Sequence, residues 1–397
     1  MLSRDTLAYG ERIAAALLGV DALYRRESGD EEGLVVLNMA ADELTPALYA
    51  DYDIAAASFL ALQRDAAELP EADRRCYYDQ LCHSTLAFIR WRTRGIPFEE
   101  QLTDFLHVPA APATTEELTE LTESAGELLG RMGYAGNIRE QCAAWEQSQR
   151  TSADQVPAVA DALLSEAWDR TAAVMEIPAP KHDGMKVIPV SGQAFNARCN
   201  YLQRRVELNT DPVLTRPGLK HLAVHEGYPG HYVQFKIREV RYREGKGPAD
   251  NLLSVVNTAS SSPFEGIADT GMAMLSWIDE HDQVQMLLNR HRAGIGTAAA
   301  WQLHAEQRPE REVAAWLSEQ ALVGGDGWVR NRMRFIAAPA RAVLIWSYWW
   351  GEPTVTRVYE KVPFHQRAEF FDYLYGRMHS LETVGMFSSA ADFAPTG

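Results

Sequence analysis

The segment His225-Glu226-Gly227-Tyr228-Pro229-Gly230-His231 limits what this chain can fold into more than any other stretch. The residues around it read as helix, yet Pro and Gly stand side by side within it. Pro229 has no N–H to offer the carbonyl one turn back, and its ring pushes against that turn. Gly230 opens backbone angles closed to other residues. On a regular helix two side chains six residues apart diverge by about 120°, at roughly 100° per residue. Residues four apart sit one above the other. A bulge or break at Pro229–Gly230 that absorbs two residues therefore returns His231 to the side of His225. A straight helix from 225 to 231 would exclude any joint role for the two rings.

Two imidazoles and an adjacent carboxylate, once on one face, follow the logic of the H-E-x-x-H zinc signature. His225 and His231 are then the first two ligands of a Zn2+ ion. Glu226 is placed to take a proton from water and pass it to a leaving amine. A catalytic zinc commonly keeps three protein ligands and one open position. The stretch 261–275, SSPFEGIADTGMAML, supplies the third. Ser261 or Ser262 can cap a helix, Pro263 suits its first turn, and Glu265 follows as the ligand. Asp269, one turn further on the same face, suits an acceptor for the N–H of a ligand histidine. The competing reading is a structural His–Glu pair, since H-E-x4-H matches also arise by chance.

HEGYPGHYVQ (225–234) and FEGIA (264–268) resemble the motifs of the bacterial family labelled domain of unknown function 885. That family is similar to gluzincin peptidases and to Taq-type thermostable carboxypeptidases. The resemblance covers about fifty residues, 220–270, and does not extend to the N-terminal half. It implies His225, His231 and Glu265 as zinc ligands and Glu226 as base, and it includes Gln234. Ile267 stands where the family has Trp. Towards the C-terminus, PARAVLIWSYWWG (339–351) departs from the family's P-G-Q-A segment, with Arg341 in place of Gln. The oxyanion donor is thus Tyr348 or another residue, and a narrower or non-peptide substrate is open.

Charge bears on partners. The net charge of −16 argues against nucleic acid and against an anionic membrane surface. No run of eighteen apolar residues suggests a membrane span. Cys76, Cys82, Cys142 and Cys199 form no C-x-x-C pair, which suits a reducing, cytoplasmic setting. The N-terminal stretch is interrupted by Asp5, Glu11 and Arg12 and reads as an amphipathic helix rather than a leader.

Along the chain, helical spacing predicts helices over 3–26, 44–67, 71–94, 114–133, 136–149 and 154–175. Thr115 is expected to open a capping box with Glu117 or Leu118. Two β-prone runs, 185–190 and 205–210, predict a small antiparallel sheet within 184–210, just before the zinc helix. Its edge is either a plain hairpin or a strand that pairs with an extended substrate, with Asn196, Arg198 and Tyr201 as contacts. Thr215 and Pro217 should start the zinc helix. Helices follow to about 392, with loops at 243–248, 323–327 and 351–354. Of the other polar residues, His221, one turn before His225, is either a neighbour of the ligand histidine or a surface residue. Arg334 and Arg341 are either substrate-carboxylate clamps or structural ion pairs.

The expectation is a mainly α, zincin-like metallopeptidase fold. It is either a helical N-terminal half (1–177) followed by a zinc-binding catalytic half (178–397), or one continuous domain. The site is expected in a cleft between these halves. The function expected is zinc-dependent hydrolysis of a peptide or peptide-like amide. A hydrolase of a small non-peptide amide and a non-catalytic helical scaffold remain alternatives.

Overall fold

The structure is a computed structural model that describes residues 2–30, 32–40, 43–180 and 183–388. It is mainly α. In chain order come α1 (Arg4–Ser28), β1 (Val35–Asn38), α2 (Tyr52–Ala66), α3 (Ala72–Arg94) and α4 (Phe98–Phe105). Next are α5 (Thr115–Arg131), α6 (Ile138–Gln149), α7 (Val156–Val174), β2 (Lys186–Val190), β3 (Ala197–Asn200) and β4 (Arg205–Asn209). The site region holds α8 (Arg216–Leu222), a π turn (Ala223–Gly227), α9 (His231–Arg243), β5 (Leu253–Val255) and α10 (Ser261–Met274). The remainder is α11 (Glu280–His304), α12 (Glu310–Gln320), α13 (Gly325–Ala337), α14 (Ile345–Lys361), α15 (Arg367–Gly376) and α16 (Leu381–Val384). Among the described residues no helix is long and apolar enough to cross a membrane.

Two compact units, each built from separated segments, make up the chain. Unit 1 comprises residues 1–110, 233–267 and 353–397; unit 2 comprises 111–232 and 268–352. The boundaries fall inside α9, α10 and α14, each of which is a continuous helix. Unit 1 is organised on α1, α2 and α3, with Tyr9, Phe59, Tyr78 and Phe88 fully buried. Its strands β1 and β5 pair antiparallel. In unit 2, Leu128 and Leu129 of α5, Trp145 of α6, and Val284 and Leu288 of α11 form an apolar cluster.

The three-stranded sheet of unit 2 has the order β2-β4-β3. The two runs expected to pair antiparallel, now β2 and β4, run parallel, and the antiparallel partner of β4 is β3, a strand the sequence reading did not name. Buried β4 is central, and β3 is an edge.

Local signals explain most boundaries. The capping box of α5 starts at Thr114, one residue before the expected Thr115. Thr114 Oγ1 accepts the Glu117 N–H at 3.2 Å, and Glu117 accepts the Thr114 N–H at 2.7 Å. Thr215 caps α8 as expected, accepting the Gly218 N–H at 3.1 Å. The loop expected at 351–354 is absent, because α14 continues through Pro353. Proline deprives the carbonyl four residues back of its partner. Here that carbonyl belongs to Trp349, and the Arg290 guanidinium donates to it while lying 3.6 Å from the Trp349 ring centroid. A side chain from α11 thus replaces the missing backbone donor.

Candidate metal centre and adjoining cavity

The distortion between the two histidines has two stages. First the helix widens: α8 passes into the π turn, and the Tyr228 N–H reaches back to the Ala223 carbonyl at 3.3 Å. π turns insert a residue into the helical ladder and re-aim the side chains that follow. Then the helix breaks. The Tyr228–Pro229 peptide is cis, and the Gly230 N–H bonds the Val224 carbonyl at 3.0 Å. At His231 a new helix begins. The two imidazoles come together with ring centroids 4.5 Å apart, edge to face. Gly230 is needed for this closure, since a Cβ there would lie 1.8 Å from the His225 carbonyl oxygen.

The second helix, α10, begins at Ser261 itself, so Ser261 and Ser262 lie inside its first turn rather than capping it. Glu265 is its fifth residue, and Asp269 follows one turn later. Gly271 lets the turn before His225 approach: a Cβ there would meet Val224 at 2.7 Å and Pro229 at 3.2 Å. A glycine inside a helical pattern was the available signal for this contact.

His225, His231 and Glu265 each present a ligand atom, and these atoms all lie within 4.8 Å of one another. His225 and His231 are buried at 6% and 7% exposure, and Glu265 is half-buried. Asp269 Oδ1 lies 2.7 Å from His225 Nδ1, which leaves Nε2 of that ring to face a metal. Of the two readings of His221, the geometry matches the neighbour of the ligand histidine, its ring centroid 5.6 Å from that of His225. The His221 Nε2 lies 3.4 Å from the same Asp269 oxygen, and burial pushes its pKa down to about 4. Among the described residues His221, His225 and Asp269 also qualify as a ligand group. Asp269 hydrogen-bonds His225 and faces His221 with the same oxygen.

Glu226, at 5% exposure, points towards the sheet. Its Oε2 accepts the backbone N–H of Cys199 on edge strand β3 at 2.7 Å. One carboxylate oxygen is thereby fixed and the other stays available to a proton-donating partner. Burial and this neighbouring carboxylate hold the Cys199 thiol well above the usual thiol range. Gln234, whose role the sequence left open, accepts from Arg238 at 2.8 Å and donates to the Phe264 carbonyl at 3.0 Å. It ties α9 to the turn that carries Glu265.

A cavity of about 950 Å³ lies within unit 2, and His221, His225, Glu226 and Asp269 belong to its wall. Asn196 and Tyr348 line it as well. Arg198 does not. It pairs with Glu207 at 2.6 Å across the β3–β4 ladder. Tyr201 is buried against Tyr232, with ring centroids 5.3 Å apart, and Arg341 lies outside the cavity lining. Arg334 is exposed and donates to the Gly192 carbonyl at 3.1 Å. Two arginines that the sequence did not single out, Arg292 and Arg332, do line the cavity.

No protein-family model matches the sequence, and no curated protein matches it significantly. Solved structures do. A protein from Colwellia psychrerythraea described as a putative lipoprotein superposes with a TM-score of 0.57 at 13% identity, over 84% of this chain and 65% of that one. A protein of unknown function from Shewanella oneidensis, given the same description, matches with a TM-score of 0.48 at 11% identity, over 84% of this chain and 72% of that one. This chain therefore spans about 65% of the length of the Colwellia protein. The first likeness shows a shared fold and nothing about activity.

Proposed function

We propose that this protein is a zinc-dependent hydrolase of peptide or peptide-like amides. The observation that carries the reading is the convergence of His225, His231 and Glu265, with Asp269 on the far nitrogen of His225. The residues fit the ion. Two imidazoles and a carboxylate are an accepted zinc donor set, and two donors each about 2.1 Å from one ion are at most about 4.2 Å apart. A separation within 4.8 Å reaches that limit with about half an ångström of side-chain adjustment. When bound, zinc would polarise a substrate carbonyl and lower the pKa of water towards about 7.

The chain's own groups account for the remaining chemistry. Glu226, held by the Cys199 N–H, takes a proton from water as its oxygen adds to the amide carbon. It returns that proton to the nitrogen as the C–N bond breaks, so acid and amine leave with the proton balance closed. Tyr348 lines the same cavity and is the candidate donor to the oxyanion. Strand β3 is paired on one side only, and residues 194–197 face the cavity, where an extended substrate can lie beside them.

The cavity volume favours a second reading within the same class. About 950 Å³ falls within the roughly 300–1,000 Å³ typical of small-molecule sites. A short or capped substrate, or a small non-peptide amide, suits it better than a long polypeptide. The test is the Glu226→Gln variant, assayed for zinc content and against a library of short peptides and acylated amino acids. The reading expects one zinc retained and turnover abolished. Full activity in that variant would remove Glu226 from the reaction.

A further inference from the structure

The cavity carries a second polar feature, built from different residues. Arg292 of α11 and Arg332 of α13 both line it. Their guanidinium carbons lie 5.4 and 5.7 Å from the centroid of the Trp328 ring, and Arg332 is also 5.4 Å from that of Phe335. The Nε atoms of both are buried without a hydrogen-bond partner, as is the side-chain nitrogen of Asn331, which also lines the cavity. Among the described residues neither arginine forms a salt bridge. The acid closest in effect to Arg292 is Glu146, and its Oε1 already accepts the Gly324 N–H at 2.6 Å. The other cavity arginines differ: Arg290 is committed to the Trp349 carbonyl, and Arg131 is exposed.

Both side chains are half-buried, and charges that lose hydration are ordinarily paired. Here burial pushes the Arg292 pKa down only to about 10, so the group stays cationic at neutral pH. Arg332 is lowered by burial too, with Tyr348 acting against the shift, and the Arg332 charge adds to the lowering of Arg292. Two like charges with unused donors, set against flat aromatic walls in an open cavity, leave room for an anion. Guanidinium matches a planar carboxylate through paired N–H donors.

We infer that Arg292 and Arg332 form a carboxylate-binding subsite of this cavity, for an acid whose apolar portion lies along Trp328 and Phe335. Resting on the hydrolase reading above, it makes the substrates acylated amino acids or short peptides with a free carboxylate, held by that end while the amide reaches Glu226. The subsite itself stands without the metal.

The test is calorimetric titration of the whole chain with 3-phenylpropanoate, with the neutral 3-phenylpropan-1-ol and with 2-phenylethyl phosphate, none of which carries an amide. The carboxylate is expected to bind at least tenfold more tightly than the alcohol. Arg292→Met and Arg332→Met should each erase that preference and melt at or above the wild-type temperature, because each removes a partly buried repulsion. Equal binding of acid and alcohol, or no binding of either, overturns the inference even if the variants do not fold. So does a preference for the phosphate. Variants that keep the preference but melt lower would make the arginines structural. Should wild type bind the acid yet hydrolyse neither short peptides nor acylated amino acids, the hydrolase reading fails and the subsite survives.

Discussion

Replacing Gly230 with alanine tests whether the break between the histidines builds the metal site. The added Cβ would lie 1.8 Å from the His225 oxygen and 2.4 Å from the His225 carbonyl carbon and the Val224 oxygen. All three are backbone atoms within the π turn, so no side chain can rotate away. Overpacking a well-filled site costs about 1–3 kcal/mol, and a clash with fixed backbone belongs at the upper end. Relief requires the chain to open between residues 224 and 230, which carries His231 away from His225. Stability and zinc affinity should therefore fall together. The assays are thermal melting without metal and zinc competition against a chromophoric chelator. Gly376→Ala is the control, because nothing lies within 4 Å of a Cβ there. Gly230→Ala should melt several degrees below wild type and bind zinc at least tenfold more weakly, with Gly376→Ala close to wild type on both. Wild-type affinity in Gly230→Ala would refute the claim that this closure positions the ligands.

Other expectations follow from the same geometry. Asp269→Asn should weaken zinc binding by about 10–100-fold, the usual effect of losing an orienting partner; unchanged affinity would detach Asp269 from the site. Arg290→Ala should destabilise the fold by about 1–3 kcal/mol, because the Trp349 carbonyl loses its donor. Adding Pro353→Ala, which restores a backbone N–H, should recover some of that loss in denaturant melts, and additivity of the two would contradict the explanation for the unbroken α14. His291 is pushed down to about 4, chiefly by burial and then by Arg292 and Arg139. Its folded pKa lies below the unfolded value of about 6.5, so between these limits the unfolded chain binds more protons. Stability should rise with pH across that window, and His291→Gln should flatten this stretch of the profile.

The sequence was most informative where local chemistry dictates geometry. Proline and glycine between the histidines announced a break, and the i to i+4 spacing of Glu265 and Asp269 placed both on one face. Non-local features were less legible. β1 is four residues long and finds its partner β5 far along the chain. The short α4, which begins directly behind Pro97, lies in the gap between the helices predicted over 71–94 and 114–133. α14 crosses Pro353 because of an arginine on another helix, which no local rule reveals. Arg292 and Arg332 sit in helical patterns where arginine usually faces water; only the fold shows that neither forms a salt bridge among the described residues. The π turn likewise arises from packing, with Gly271 admitting Val224 and Pro229.

The most direct measurement is a crystal structure of the zinc-soaked protein with anomalous difference maps collected on both sides of the zinc edge. The account predicts one edge-dependent peak, about 2.0–2.2 Å from a nitrogen of His225, a nitrogen of His231 and an oxygen of Glu265. A peak among His221, His225 and Asp269 instead, or no peak at these residues, would contradict it.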